Sequence, residues 1–537
     1  MSKKSLTYFT EVEKFYFSPT LTIPGIHEDD FLNLFVFLGK SHEFNGTDVP
    51  VSILSPNEVK KVFKDLIVLK KANLNDISPV IEKIDWKANT FYFAYNQDTN
   101  FGIKDSSNKI IKPFYVKNRY DQVFKCLWNG TNSANSYNIT SIANNSTHYT
   151  ILHEGGTFDT DSLITIDTTL PEGYNGTFKV VASKVGSANV ICALNESFAM
   201  SVESSYASGG RIRNANLTSE EPILGTGRYT EDLIVKTDDD YKWKYLYTID
   251  KASKIKFSDS SYMTVPIKNI EKYPYSSGIG WGSVDVINVV DGGIGYSNGT
   301  NTVNVLISGD GTGASAEAFV LNNTIQDITI LNKGTDYTHA NVSIIPASGY
   351  SGFGAEVEYS ISPIGGHRFD LLQELYCSDI IVSVPFERSE GGKLPTNFSF
   401  NQVGIIYNPY LSSNTSSHSN SSYISCTTDM IVTSLGIPFM EGEVVYQGLS
   451  LEDSVFKANV LSFDSANNFL SLINTFGTPR QSFEIVGNES NASKIIQQIF
   501  PNVYVPNSGS LFYVENKVDI KRDAMGSEQI RILINYK

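Results

Sequence analysis

The stretch "DGGIGYSNGTNTVNVLISGDGTGASAEAFV", residues 291–320, decides how this chain of 537 residues is read. Its Gly309-Asp310-Gly311-Thr312-Gly313-Ala314 core has the look of a phosphate cradle. A phosphate loop occurs once, between a strand and a helix, with a Lys-Ser/Thr pair supplying a cation and a magnesium ligand. No such pair follows these glycines, and "EAFVLNN" (317–323) alternates as a strand does. The pattern also comes twice. "VDVINVVDGGIGY" (284–296) returns as "IQDITILNKGTDY" (325–337), so that Tyr296 recurs 41 residues on as Tyr337. Gly311-Thr312-Gly313-Ala314 recurs at the same interval as Gly352-Phe353-Gly354-Ala355, and a two-residue slip in between matches Val303 to Val342. Gly293, Gly295, Gly334, Gly311, Gly313, Gly352 and Gly354 are therefore expected to be structural turns with positive φ, which glycine adopts without steric cost. Each copy is expected to make a strand, a tight turn, a tyrosine anchor and a return pair of strands. The two copies are expected to stack on a core that neither buries alone.

Working outward, apolar and polar residues alternate in "TFYFAY" (90–95), "LITIDTTL" (163–170), "TFKVVASKV" (177–185), "ITILN" (328–332) and "QIRILINY" (529–536). This is the strand-and-turn pattern. One helix is well signalled, over about 55–69. Ser55 can cap, Pro56 suits the first turn, Glu58 completes a capping box, and Val59, Val62, Phe63 and Leu66 form one stripe. A second helix is expected in "EDDFLNLFVFLG" (28–39). The fold class is thus mainly β (α+β) and multidomain: a β-rich scaffold with a few helices and several inserted small β-modules. Composition places scaffold at 1–130, 226–281 and 363–411, an Asn/Ser/Thr/Gly-rich β-module at 131–225, and the tandem Gly/Tyr repeat at 282–362. It further places a linker at 412–427, another small β-module at 428–508, and C-terminal strands at 509–537.

With 41% hydrophobic and 18% charged residues the chain can bury a core, and its length asks for several domains. A net charge of −15 argues against nucleic acid, whose phosphates are gripped by clustered Lys and Arg. No uncharged apolar run reaches the length of a membrane span, and "MSKKSLTYFTEVEKFYFSPT" is not expected to be a targeting segment. Cys126, Cys192, Cys377 and Cys426 are far apart and are expected as free thiols. His148 and His153, with Glu154 after them, match no zinc-binding spacing. The acids of "DTDS" (159–162) and "TDDDYKW" (237–243) lack the closing Glu of a calcium loop and are expected in solvated turns. No nucleophile elbow, which needs a strand-to-helix turn, is expected. The expectation is no catalytic residue, no cofactor site and no metal site, with the 29 Tyr and 31 Phe serving core and protein interfaces.

Five segments, in order, resemble a known family. They are "VIEKIDW" (80–86), "YDQVFKCLWN" (120–129), "DDDYKWKYLYTI" (238–249) with "YMTVPI" (262–267), "VGIIYNP" (403–409) and "GSLFYVENKVDIKRDAMGSEQIRILINY" (509–536). Together they look like the baseplate wedge subunit, gene product 8, of T-even-like contractile-tailed bacteriophages, over about half of the chain. The blocks 131–225, 282–362 and 428–508 have no counterpart in the family's shorter members. The resemblance implies a non-enzymatic late structural protein of the virion's tail baseplate, assembled in the host cytoplasm. It implies a homodimer joined to other wedge subunits around the central hub, rearranging on tail contraction, with no catalytic or cofactor residue to carry over. The alternative is a tail-associated glycan-binding or glycan-cleaving β-protein, and the inserted modules could touch a host-surface glycan within the first reading.

Overall fold

The computed structural model describes residues 33–535 except 43, 45–54, 131–135, 145–147, 171–173, 175, 184–188, 194–204, 226–232, 267–281, 300, 364, 389, 391–393, 396, 414, 416–418, 420 and 523–525, with 74, 167, 168 and 189–193 described by backbone alone. Strands hold 54% of the described residues and helices 6%, so the chain is mainly β with a few helices. It divides into two units, one running to Pro79 and resuming at Ser378, the other comprising Val80–Cys377.

In chain order, the first unit opens with β1 (Leu34–Gly39), α1 (Pro56–Lys64) and β2 (Leu66–Lys71), and the chain leaves it within β3 (Ile77–Glu82). The second unit contains β4 (Tyr115–Lys117), β5 (Gln122–Asn129), β6 (Tyr137–Asn144), β7 (His148–His153), β8 (Leu163–Leu170), β9 (Gly176–Ser183), β10 (Asn189–Ala193) and β11 (Ser208–Asn214). It continues with β12 (Ile234–Lys236), β13 (Tyr241–Thr248), α2 (Lys251–Phe257) and β14 (Tyr262–Thr264). The repeat follows as β15 (Val284–Ile294), β16 (Val303–Gly309), β17 (Thr312–Leu321), β18 (Thr324–Thr335), β19 (Ala340–Pro346) and β20 (Phe353–Ile361), and the short α3 (Leu371–Glu374) comes after it. Back in the first unit are β21 (Asp379–Glu387), β22 (Phe398–Tyr407), β23 (Tyr423–Ser425), β24 (Thr428–Val432), β25 (Val444–Gln447), β26 (Phe456–Asp464), β27 (Phe469–Gly477), β28 (Glu484–Gly487), β29 (Ser493–Phe500), β30 (Ser510–Arg522) and β31 (Ser527–Asn535).

In the first unit the Ser55 side chain accepts from the Glu58 amide at 3.3 Å and Pro56 sits in the first turn of α1, which buries Val62 and Phe63. The helix expected to about 69 ends at Lys64. Leu66, Ile67, Val68 and Leu69 are all buried in β2, which pairs with β1 on one side and β23 on the other. A branched aliphatic run with no polar face suits a strand covered on both sides, and that pairing overrides the helical stripe. The same reason corrects the helix expected at 28–39: Leu34–Gly39 is β1, six residues all buried, while 28–32 lie outside the described residues. The stretch expected as a linker, 412–427, supplies edge strand β23, with Ile424 fully buried against β2. The resulting sheet is ordered β23-β2-β1-β22-β30, and β21 pairs antiparallel with β31. Strands β24 to β29 close into a barrel around Met430, Val445, Phe456, Val460, Leu470 and Leu472, a closure that leaves no sheet edge.

The second unit repeats this economy. Strands β6 to β11 close into a barrel around Tyr149, Ile151, Ile164, Phe178 and Ile212. The sheet β12-β13-β5-β4 has its own cluster of Tyr92, Val116, Phe124, Cys126, Val235, Tyr241 and Trp243.

The tandem repeat is built differently from two stacked copies. Strand β15 pairs with β20, β16 with β19, and β17 with β18, all antiparallel. The first copy is β15 to β17 and the second β18 to β20, so every ladder joins one copy to the other. The copies interlock, because neither contains two strands that can pair with each other. Tyr296 and Tyr337 are the buried anchors, and each lies against glycine of the opposite copy. A Cβ at Gly352 would run into the Tyr296 ring, and one at Gly311 into the Tyr337 ring. The glycines have φ of +62° (Gly293), +76° (Gly295), +82° (Gly313), +69° (Gly334), +142° (Gly352) and +80° (Gly354). Gly311 is the exception: it is not in the positive-φ region and is needed for the space its neighbour Tyr337 occupies. Asn322 and Asn323, at φ +54° and +62°, turn β17 into β18 as a two-residue hairpin loop.

Gly293 and Gly334 are equivalent positions with two demands each. A side chain there would have positive φ and would meet backbone oxygen, Phe353 O at 2.5 Å or Thr312 O at 2.6 Å. Gly354 has positive φ and open space. Gly354→Ala should lower stability by about 1–2 kcal/mol, the left-handed penalty alone. Gly293→Ala and Gly334→Ala should each lower it by clearly more, as read by urea unfolding of the three variants beside the parent.

Candidate functional site

The run "VFKCLW" (123–128) of β5 is buried throughout, which puts the Lys125 ammonium inside the second unit with no exposure at all. A cation there needs partners. Glu374 comes to it from the last position of α3, whose start is capped by the Asp370 carboxylate accepting from the Leu372 and Gln373 amides at 3.1 Å each. Lys125 Nζ lies 2.6 Å from Glu374 Oε1, at ion-pair distance without hydrogen-bond alignment, and 3.5 Å from the centre of the Tyr95 ring. Glu374 Oε1 also meets His367 Nδ1 at 2.5 Å, and Oε2 accepts from the Arg368 amide at 2.8 Å. On its other side His367 Nε2 lies 2.7 Å from Asp285 Oδ2, again off the hydrogen-bond line, while Asp285 Oδ1 accepts from Lys333 Nζ at 2.6 Å. Both ring nitrogens of His367 face carboxylates.

Four side chains thus run in line, Lys125–Glu374–His367–Asp285, with Lys333 at the end. Burial works against every charge in it. Burial pushes the Glu374 carboxyl up, but Lys125 and His367 outweigh it and hold the group well below the usual carboxylate range. Asp285 is likewise pushed up by burial and held far lower by His367, Lys333 and Lys244. Burial draws Lys125 down while Glu374 and Asp285 pull it back. Burial raises the Tyr95 hydroxyl, with Glu374 adding to it. The direction that follows for the cluster is ionised carboxylates, each engaged on cations. Neither is a free general base, and the arrangement acts as an ionic cross-link between β5, β15, β18 and α3.

A cleft of ≈ 340 Å³ opens beside the cluster. Tyr95, Gln97, Gln373, Glu374 and Tyr376 line it from the scaffold side, and Tyr337, Thr338 and Ile361 from the repeat.

The residues singled out in the sequence fall elsewhere. The seven glycines are in the repeat, at its turns and beneath its tyrosines. His153 is buried, with Nδ1 on the Gly155 carbonyl and Phe158 edge-on to its ring. Asp239 organises a loop, accepting from Thr218 Oγ1, the Ser219 and Glu220 amides and Thr237 Oγ1, and it is a partly buried structural carboxylate and not a solvated one. Cys126, Cys377 and Cys426 are buried thiols outside any disulfide, and burial pushes the Cys126 and Cys426 thiols up. Among the described residues, no three His, Cys, Asp or Glu side chains group as a metal site would require. The cluster itself was not legible: its members are spread from 125 to 374, and the one local signal was a lysine set in the apolar run of β5. No protein-family model matches this chain, and no curated protein is significantly similar to it.

The ordinary values of Asp285 and Glu374 are 3.8 and 4.5, and both are lowered in the folded chain. Groups with depressed folded values stabilise fully above their unfolded values and lose that contribution as pH falls through and below them. Urea unfolding should therefore show stability falling between pH 6 and pH 3. Glu374→Gln, which leaves Lys125 buried without its anion, should cost about 3–5 kcal/mol at pH 7, and the variant's stability should fall less on acidification than the parent's.

Proposed function

We propose that this chain is a non-enzymatic structural component of a contractile-tail baseplate, a wedge subunit that assembles as a homodimer with other wedge subunits. The observation that carries this reading is where large apolar side chains are left in water. On the repeat, Leu331 is 65% and Phe353 68% exposed, with Leu306 and Ile345 also outward. On the barrel of β24 to β29, Leu435 is 82% and Phe476 65% exposed, with Leu449 and Phe483 outward too. Several large exposed apolar side chains on one folded module support a protein contact there. Both modules lie in blocks without counterpart in the family that the five segments resemble, so these would be contacts added to a common scaffold. The deep carboxylates support the same reading, since Glu374 and Asp285 are engaged by cations and Glu443 accepts from the Met440, Glu489 and Ser490 amides.

Light scattering on the purified chain should give a dimer, and an antibody against it should label the distal end of contractile tails. Phe353→Asp with Leu331→Asp, and Leu435→Asp with Phe476→Asp, replace exposed groups. They should leave unfolding unchanged while weakening association with neighbouring subunits at least tenfold. A monomer absent from tail particles, or polysaccharide cleavage by the isolated chain, would overturn the proposal.

A further inference from the structure

We infer that the tandem repeat of residues 283–362 is a hinged body within the second unit, folded on its own core and held against the scaffold by an ionic clasp, so that it opens as a whole about one neck. The inference does not depend on membership of a baseplate.

Three observations carry it. First, the apolar clusters named for this unit do not cross the boundary. Val284, Ile287, Tyr296, Val303, Val320, Ile328, Tyr337 and Ile361 belong to the repeat alone, and Tyr92, Phe124, Cys126, Tyr241 and Trp243 to the sheet alone. Second, chain entry and exit lie side by side. The Ser283 amide donates to Ser362 Oγ at 2.9 Å and the Ser362 amide donates to the Ser283 carbonyl at 2.9 Å. Two adjacent strands of chain form a narrow neck, the geometry about which a module turns. Third, the hydrogen bonds and ion pairs across the boundary are several. Asp285 of the repeat faces His367 of the scaffold at 2.7 Å, backed by Glu374 and Lys125. Arg211 of the β6 to β11 barrel reaches Asp291 at 2.9 Å and Glu356 at 3.4 Å. The Ile361 amide donates to Gln97 Oε1 at 3.1 Å. The cleft of ≈ 340 Å³ lies along this same boundary, so the two sides meet without filling it. Apolar cores within the modules and charge between them is the arrangement of an interface that opens before its modules unfold.

The neighbours of the clasp are specific about how it releases. Asp285 is the one acid of the repeat that His367 faces, and Lys333 on its far side belongs to the repeat itself. Removing the Asp285 charge therefore leaves His367 facing an uncharged amide across the boundary.

The test is hydrogen exchange read by mass spectrometry on the full chain, for the parent, Asp285→Asn, and Asp285→Asn with Arg211→Ala. In the parent, the Ile361, Ser362 and Ser283 amides should exchange at least tenfold faster than the ladder amides of β17 and β18. In Asp285→Asn, exchange at those neck amides should rise at least tenfold further, and again in the double variant, while β17 and β18 keep parental protection. Unchanged neck exchange in both variants would show that the charges do not hold the repeat down. Loss of protection throughout β15 to β20 in step with the neck would show that the repeat unfolds and does not swing. If either variant fails to fold, the parent alone decides, because neck and ladder amides that exchange together rule out the hinge.

Discussion

A chain that places more than half of its described residues in strands must find a partner for each strand edge, because an unpaired ladder invites another chain. Two stretches of this protein meet the constraint by closing into barrels, β6 to β11 and β24 to β29. The repeat meets it by exchange: each copy's first strand finds its partner in the other copy's last. That pairing is possible only because backbone passes close beneath two tyrosines, which requires glycine at 311 and 352. The repeat's glycines are therefore spaced by packing and by turn geometry together.

Self-contained modules raise a second question, namely what joins them. A shared apolar core would fuse the repeat and the sheet into one rigid body. A buried ionic cluster does something else, because taking charges out of water costs several kcal/mol per ion and is offset only when partners are held in one geometry. Lys125, Glu374, His367 and Asp285 are inside, so there is one docked arrangement in which all are engaged and any other leaves a charge unpaired. Such a contact contributes orientation more than stability. An interface of that kind is suited to be either made or broken.

Much of the β architecture was legible because its signals are local. Alternation in "VDVINVV" and "ITILN" marked strands β15 and β18, and Ser55, Pro56 and Glu58 marked the start of α1. Where the reading failed, the cause was in each case a neighbour distant in sequence. Leu66–Leu69 continue a helical stripe on paper and form a strand because β1 and β23 cover both sides. Ile424, in a serine-rich stretch, becomes a buried edge residue because β2 needs a partner there. Gly311 falls in a turn motif, yet its backbone is ordinary and its hydrogen makes room for a ring 26 residues away.

By itself, then, the order of residues determined the β class, the existence of a 41-residue repeat, and six of the repeat's left-handed glycines, since each depends on the conformational preferences of adjacent residues. Only the tertiary structure decided that the two copies interlock and that a lysine, a glutamate, a histidine and an aspartate converge in the interior. Strand pairing between copies and the meeting of charges across some 250 residues are long-range events. Their energy comes from burial and complementarity in three dimensions, and no local preference along the chain records it.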